Sequence, residues 1–381
     1  MAGIYIHIPF CKRKCHYCNF FSLASNKNRP EFLNALKNEI TLTRNYLSGE
    51  PVNTIYFGGG TPSLFRPEIL QGILEMLTPP REGGEYQASP LGEITLEINP
   101  DDATDAFVAE LKHTWFNRFS IGVQSFLNKD LVWLNRSHTA DHAIRAVRKL
   151  QDAGYGNIGI DLIYGIPSSS HDQWKKNLEI AFSLDVPHIS AYALTVESGT
   201  PLAWMISKKR SVGVDDESQV TQFRLLMDMA RDHGFLQYEI SNFAKYGWFA
   251  IHNTNYWKGI PYLGLGPSAH SYNGKSRRWN ISSLTKYIDR INSGLSFHEE
   301  EILTPEQKYN EYVMTSLRTM WGCNTQKMID DFGFTIYDFF RKTALPLIGR
   351  GLLKEDSGVY FLTEDGKLFA DGVAAELFLV A

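Results

Sequence analysis

Three cysteines fall within eight residues near the start of the chain, in the run CKRKCHYC: Cys11, Cys15 and Cys18. The fourth cysteine, Cys323, lies more than three hundred residues further on. Thiolates this close on one loop converge on one metal centre, and their number is informative. Structural zinc takes four ligands, and ordinary iron–sulfur clusters are held by four cysteines. Three thiolates on a four-iron cluster leave one iron free to bind a small molecule. A zinc loop completed by His16, or three unrelated thiols, are the structural alternatives. Lys12, Arg13 and Lys14 between the cysteines read as a solvated basic loop that also offsets thiolate charge.

A second group of chemically capable residues recurs at the ends of strand-like runs. GGGTP (Gly58, Gly59, Gly60, Thr61, Pro62) follows one such run. It reads as a tight strand-to-helix turn, or as a place where backbone approaches a ligand with amides free to bind a carboxylate. Glu97 ends LEINP, Gln124 ends GVQ, Asp161 lies in GIDLIYGIP, and Arg136 falls in the helical stretch between the last two. Singly, each reads as a cap or loop anchor. Together, at matching strand ends, they share one mouth. Glu97 and Asp161 can accept from hydroxyls or an ammonium group, and Arg136 can grip a carboxylate in bidentate fashion.

The elements that must hold these residues alternate. Strands are expected at 3–8, 53–57, 93–98, 118–123, 157–163 and 188–194. Helical periods are expected at 30–47, 67–77, 104–115, 140–152 and 172–184. Six β/α units predict an α/β fold, a parallel sheet curved as a partial (β/α)6 TIM-like barrel, with its ligand site at the strand C-terminal ends. The Pro- and Gly-rich run 78–92 reads as a surface loop. After a polar run over 207–219, a helix is expected at 216–233. Residues 236–303 are dense in aromatics, Asn and Gly and read as an irregular connecting segment. From 304 on, helices at 305–318, 325–331, 336–348 and 364–379 enclose a β-hairpin, a small winged-helix-like domain. The domain division is 1–235, 236–303 and 304–381.

Composition sets bounds on this reading. The 381 residues are 43% apolar and 21% charged, with a net charge of −4, which is ordinary for a globular protein and gives no reason to expect nucleic-acid binding. No apolar run approaches the ~20 residues of a transmembrane helix. The chain opens on a strand rather than a basic-then-apolar signal. The cysteines form no disulfide framework, so a reducing cytoplasm is expected.

CxxxCxxC with Tyr17 before its last cysteine resembles the signature of the radical S-adenosylmethionine (SAM) superfamily. YIHIPFCxxxCxYC, GGGTP, LEINP, GVQSF, DLIYGIP and GLGPSAHS further resemble the coproporphyrinogen dehydrogenase, HemN-related, group along essentially the whole chain. The resemblance implies a [4Fe–4S] cluster on Cys11, Cys15 and Cys18, and SAM contacts at Tyr5, Tyr17, Gly59, Gly60, Thr61, Glu97, Gln124, Arg136 and Asp161. Two departures bear on activity. The enzymes of the group carry a further cysteine two positions after the third, where this chain has Phe20, and a long extension ahead of the cluster, where this chain starts on its first strand. Both departures are similar to the heme-chaperone branch of the group. HNTNYW fits HNxxYW, a motif linked to heme binding in that branch, which implicates His252, Asn253, Tyr256 and Trp257, with His270 and Cys323 as weaker alternatives. An imidazole can ligate heme iron and flanking aromatics can pack on the macrocycle; equally, a histidine among aromatics can be a hydrogen-bonded structural residue. The expectation is therefore a heme chaperone that passes heme to an unidentified acceptor protein, with homodimerisation implied by the resemblance. The alternative is a radical SAM enzyme acting on a porphyrinogen.

Overall fold

The computed structural model describes residues 1–78 and 92–379; the loop expected over 78–92 lies, apart from its two end residues, outside the described residues. Six strands follow one another in parallel: β1 (Ala2–Ile8), β2 (Val52–Gly59), β3 (Glu93–Ile98), β4 (Arg118–Gln124), β5 (Ile158–Tyr164) and β6 (His188–Ala193). Helices Arg29–Leu42, Pro67–Leu77, Asp105–Leu111, Ala140–Asp152 and His171–Ser183 connect them. This is the α/β arrangement of a partial TIM-like barrel.

Strand alternation decides which side chains face which layer. Ile4, Ile6 and Ile8, Ile55 and Phe57, Leu96, Ile121 and Leu162 are buried in the main core. Burying each such side chain stabilises by about 2 kcal/mol, so apolar packing of one phase of the strands holds the sheet. The opposite phase carries Tyr5 and His7, Tyr56, Glu97, Ser120, Gln124, Asp161 and Ser190, and it is this polar phase that supplies the site.

The segment over 236–303 is not irregular. It adds β7 (Leu236–Glu239) and β8 (Asn242–Ala244) beyond β6, and β9 (Tyr262–Leu265), β10 (His270–Tyr272), β11 (Ser276–Asn280) and β12 (His298–Ile302) beyond β1. The result is one twelve-stranded sheet ordered β12-β11-β10-β9-β1-β2-β3-β4-β5-β6-β8-β7. β9 runs parallel to β1, with Tyr5 opposite Gly264. The last strand, HEEEI, sets acidic residues opposite basic ones in its register with β11: Arg277 faces Glu301 and Arg278 faces Glu300. Between β8 and β9, helix Ile251–Trp257 carries HNTNYW.

The C-terminal part has its own core, around Tyr309, Val313, Leu317, Met328, Phe340 and Leu347. Helices Pro305–Leu317, Thr325–Phe332 and Phe334–Gly349 pack with a three-stranded antiparallel sheet of β13 (Cys323–Asn324), β14 (Leu353–Asp356) and β15 (Val359–Leu362). The final helical stretch is broken into Glu364–Lys367 and Ala370–Glu376. This part is tied to the barrel edge by Ile240 N–H donating to the Arg318 carbonyl at 3.0 Å and by an Arg318–Glu239 ion pair at 3.3 Å.

Candidate cofactor site

β1 delivers the chain through Pro9 into the cysteine loop, and the loop is closed at its base. Cys11 N–H donates to the Leu23 carbonyl at 3.0 Å, and Leu23 N–H to the Pro9 carbonyl at 2.7 Å. Its far side is anchored by His16, whose Nδ1 meets the Trp133 carbonyl at 2.7 Å, and by Asn135, whose amide donates to the Lys14 carbonyl at 2.9 Å. The intervening cations are not merely solvated. Lys12 pairs with Asp101 at 2.8 Å and with Asp102, pinning the loop to the end of β3. Lys14 Nζ donates to the Phe20 carbonyl and to Ser22 within the loop.

Cys11, Cys15 and Cys18 are free thiols, partly exposed, on the wall of a cavity of about 970 Å³ at the C-terminal ends of the strands. Thr61 donates to Cys11 Sγ at 3.6 Å and Arg136 Nη1 to Cys15 Sγ at 3.5 Å. Burial pushes the Cys11 and Cys18 thiols up, and neighbouring thiols add to the rise. Among the described residues no three His, Cys, Asp or Glu side chains are drawn tightly around one point.

Across the cavity lie the strand ends. Tyr17, Gly59, Gly60, Thr61, Glu97 and Gln124 line it, as do Arg136 and Asp161. Gln124 has φ of 65°, a left-handed conformation rare outside glycine, where β4 breaks off into the mouth. Tyr56 OH donates to Glu97 at 2.8 Å. Burial pushes the Glu97 carboxyl up to about 7, opposed by the Tyr56 and Gly59 hydrogen bonds and reinforced by nearby Asp161. Asp161 is raised by burial and held by Ser190 and Ser120, the latter at 3.2 Å. Two half-buried carboxylates, with Asp161 close enough to raise Glu97, suit a ligand that brings a positive charge or several hydroxyls.

Three sequence expectations change here. Tyr5 does not join the cavity. It lies on the same polar phase of β1 but lines a second cavity, its hydroxyl 3.1 Å from His7 Nδ1 and its ring 6.0 Å from that of Tyr56. Arg136 lies in the turn between helices Asn128–Trp133 and Ala140–Asp152, and its guanidinium already serves the Gly122 carbonyl at 2.8 Å, the Asn99 side chain and Cys15. Its Nε is buried without a partner, so one donor remains for a ligand. Third, the amides of the glycine-rich turn are committed: Gly60 N–H donates to the Ile8 carbonyl at 2.8 Å and Thr61 N–H to that of Phe10 at 2.7 Å. The glycines permit close strand contact instead, since a Cβ on Gly60 would stand 2.6 Å from the Phe10 oxygen. Tyr56, Asn99, Ser120 and Ser190 were not singled out by sequence; their in-phase placement on β2, β4 and β6, and just past β3, was the available signal.

The HNTNYW residues are divided. His252 is buried in the barrel, with Nδ1 2.9 Å from Thr54 Oγ1 and Nε2 2.9 Å from Tyr256 OH. Its ring tilts over that of Tyr56 at 5.2 Å, and burial holds its pKa down at about 3. Both nitrogens are occupied, so as placed it offers iron no lone pair. Glu93, paired with the buried Arg118 at 3.7 Å, accepts the Ile251 and His252 backbone N–H groups and fixes the start of the helix. Asn253 reaches the cysteine-lined cavity, whereas Tyr256, Trp257 and His270 line a second cavity. Cys323 is fully buried in the C-terminal core and its thiol is pushed well up by burial.

Comparison with known proteins agrees with this layout. The radical SAM superfamily matches residues 5–181 and the HemN C-terminal domain matches 303–369. The heme chaperone HemW of Bacillus subtilis (strain 168) is 32% identical over 98% of both chains. HemW of Escherichia coli (strain K12) is also 32% identical, over 99% of this chain and 98% of its own. The chain belongs to the HemW family. HemW of Mycobacterium tuberculosis, at 31% identity over 98% of this chain and 94% of its own, extends that family likeness. In structure, coproporphyrinogen III oxidase (HemN) from Escherichia coli shares the fold, with a TM-score of 0.83 at 20% identity, covering 99% of this chain and 90% of that one. Among the described residues no helix is long and apolar enough to cross a membrane.

Proposed function

We propose that the chain is a heme-handling protein on a radical SAM scaffold, one that takes up heme and passes it to an acceptor protein; its HemW relatives are named heme chaperones. The observation that carries the cofactor half of this reading is the shared cavity: three free thiols on one wall face two half-buried carboxylates, Gln124 and a guanidinium whose Nε is unpartnered among the described residues on the other. The donor set fits. Cys11, Cys15 and Cys18 would hold a [4Fe–4S] cluster. Glu97 and Asp161 would accept from the ammonium and ribose groups of SAM, and Arg136 Nε would donate to it. The cluster with SAM supplies reductive cleavage of the sulfonium bond. The protein's own residues would orient the nucleoside, hold the carboxylates ready and keep the thiols facing the ligand.

The heme half draws its support from the HemW relatives; a cytoplasmic location and self-association belong to the same proposal. Anaerobic reconstitution should give about four irons per chain on a three-cysteine cluster, with an electron paramagnetic resonance signal that SAM alters, together with saturable binding of hemin. A reconstituted protein with no saturable hemin binding would overturn the heme half. The cavity also reaches Lys367, a cation suited to a carboxylated substrate, which favours testing a second reading in parallel. Turnover of coproporphyrinogen with SAM and reductant would establish a radical enzyme in place of a carrier.

A further inference from the structure

A second cavity, of about 1180 Å³, lies between the β1–β9–β10–β11 side of the sheet and the C-terminal helices. Its size suits a large flat ligand better than a small metabolite. Aromatic rings dominate its walls, among them Tyr256, Trp257, Tyr262, Tyr272, Tyr312 and Trp321. Such walls can stack on a macrocycle.

Two histidines line this space, His7 and His270. His7 is committed at both nitrogens, Nδ1 to Tyr5 OH at 3.1 Å and Nε2 to the Phe21 carbonyl at 2.7 Å. His270 is exposed at the start of β10, and among the described residues its ring has no hydrogen-bond partner. Its ring lies 6.4 Å from that of Trp279. Its side chain reaches solvent at one edge, and its partial burial together with the neighbouring Arg277 lowers its pKa from 6.5. Lys258, Lys308 and Lys327 line the same cavity. Lys258 Nζ sits 4.4 Å from the Trp321 ring centre and Lys327 pairs with Asp331, while Lys308 has no ion-pair partner among the described residues. Cations beside an aromatic slot match the carboxylates of a metalloporphyrin. Asn19 and Phe20, just after Cys18, line both cavities, so a ligand here would lie across a shared wall from the cysteine loop.

We infer that heme seats in this second cavity with His270 as its axial iron ligand. His252 is then a positioning residue, which holds Tyr256 in the cavity wall through the hydrogen bond to its hydroxyl. The inference rests on the heme-handling reading above, and it reassigns the iron from the motif histidine to one outside the motif.

The test is a hemin titration of reconstituted full-length protein, followed by visible absorbance and electron paramagnetic resonance, in wild type, His270→Ala and His252→Ala. His270→Ala is expected to lose the imidazole-ligated spectrum and about tenfold or more in affinity, and added imidazole should restore the spectrum. His252→Ala should weaken binding yet keep the wild-type ligation signature. An unchanged spectrum and affinity in His270→Ala, or loss of the imidazole signature in His252→Ala alone, would overturn this seat while leaving heme binding standing. Absence of saturable hemin binding by wild type would overturn the seat and the heme reading together.

Discussion

Glu97 is held against its chemistry in the ligand-free protein, and replacing it with glutamine makes that measurable. Burial takes its pKa from 4.5 to about 7. At about 1.4 kcal/mol per pKa unit, keeping the carboxylate ionised in the fold costs roughly 3 kcal/mol. The sign follows from proton binding. The folded state holds the proton more tightly than the unfolded one, so the carboxyl imposes no penalty below pH 4.5, and the full penalty is present only once the pH has risen past 7. Glu97→Gln removes the charge but turns one acceptor oxygen into an NH2 group facing the Tyr56 and Gly59 donors, which costs about 1 kcal/mol. The ligand-free variant should therefore be more stable than wild type by about 2 kcal/mol at pH 8, a rise in Tm of about 4 °C. At pH 5, where the charge penalty has dropped to about 1 kcal/mol and matches the cost of the amide, the advantage should be gone. In the same variant SAM affinity should fall by about tenfold to a hundredfold, because a charge-assisted acceptor is lost, and wild-type affinity should decline as the pH drops below 7. Calorimetry at the two pH values with a SAM titration at pH 8 decides it. Equal stability of the two proteins at pH 8, or undiminished SAM affinity in the variant, would refute the reasoning.

Cys15→Ala should abolish the cluster's visible absorbance and iron content after reconstitution while shifting Tm by no more than about 2 °C, as checked by iron analysis and thermal melting. Glu93→Gln leaves buried Arg118 without its counter-charge and weakens the anchor of helix Ile251–Trp257; a loss of about 3 kcal/mol in urea denaturation is expected. Gly59→Ala forces a side chain onto a residue with φ of 99° against the His7 ring; it should lower stability by about 2 kcal/mol or more and cut SAM binding, followed by urea melts and equilibrium dialysis.

What was legible in the sequence follows from how local each signal is. GIYIHI, EITLEI and RFSIGV each show period-two alternation, and Ala140–Asp152 and Pro67–Leu77 show helical spacing, so the six β/α units could be read directly. The site residues were readable in type because Glu97 and Gln124 end strands, and strand ends of one barrel share a mouth. Pairing across long separations was not readable. β9 joins β1 through Tyr5 and Gly264, some 260 residues apart, and its neighbours β10 and β11 are three and five residues long with no clean period. The 236–303 segment therefore looked irregular although it extends the sheet at both edges. Occupancy of donors was equally hidden: only coordinates show that the Gly60 and Thr61 amides serve β1 and its continuation, that Arg136 already holds Gly122, and that His252 is spent on Thr54 and Tyr256.

The many separate fastenings of the cysteine loop have a consequence for how the protein is built and repaired. Small metal-dependent domains gain their fold from the metal, but this loop is stitched to Leu23, Trp133, Asn135, Asp101 and Asp102 by ordinary bonds. If the loop carries the proposed cluster, its iron could be lost and replaced without the surrounding chain coming apart, because these bonds do not depend on the metal.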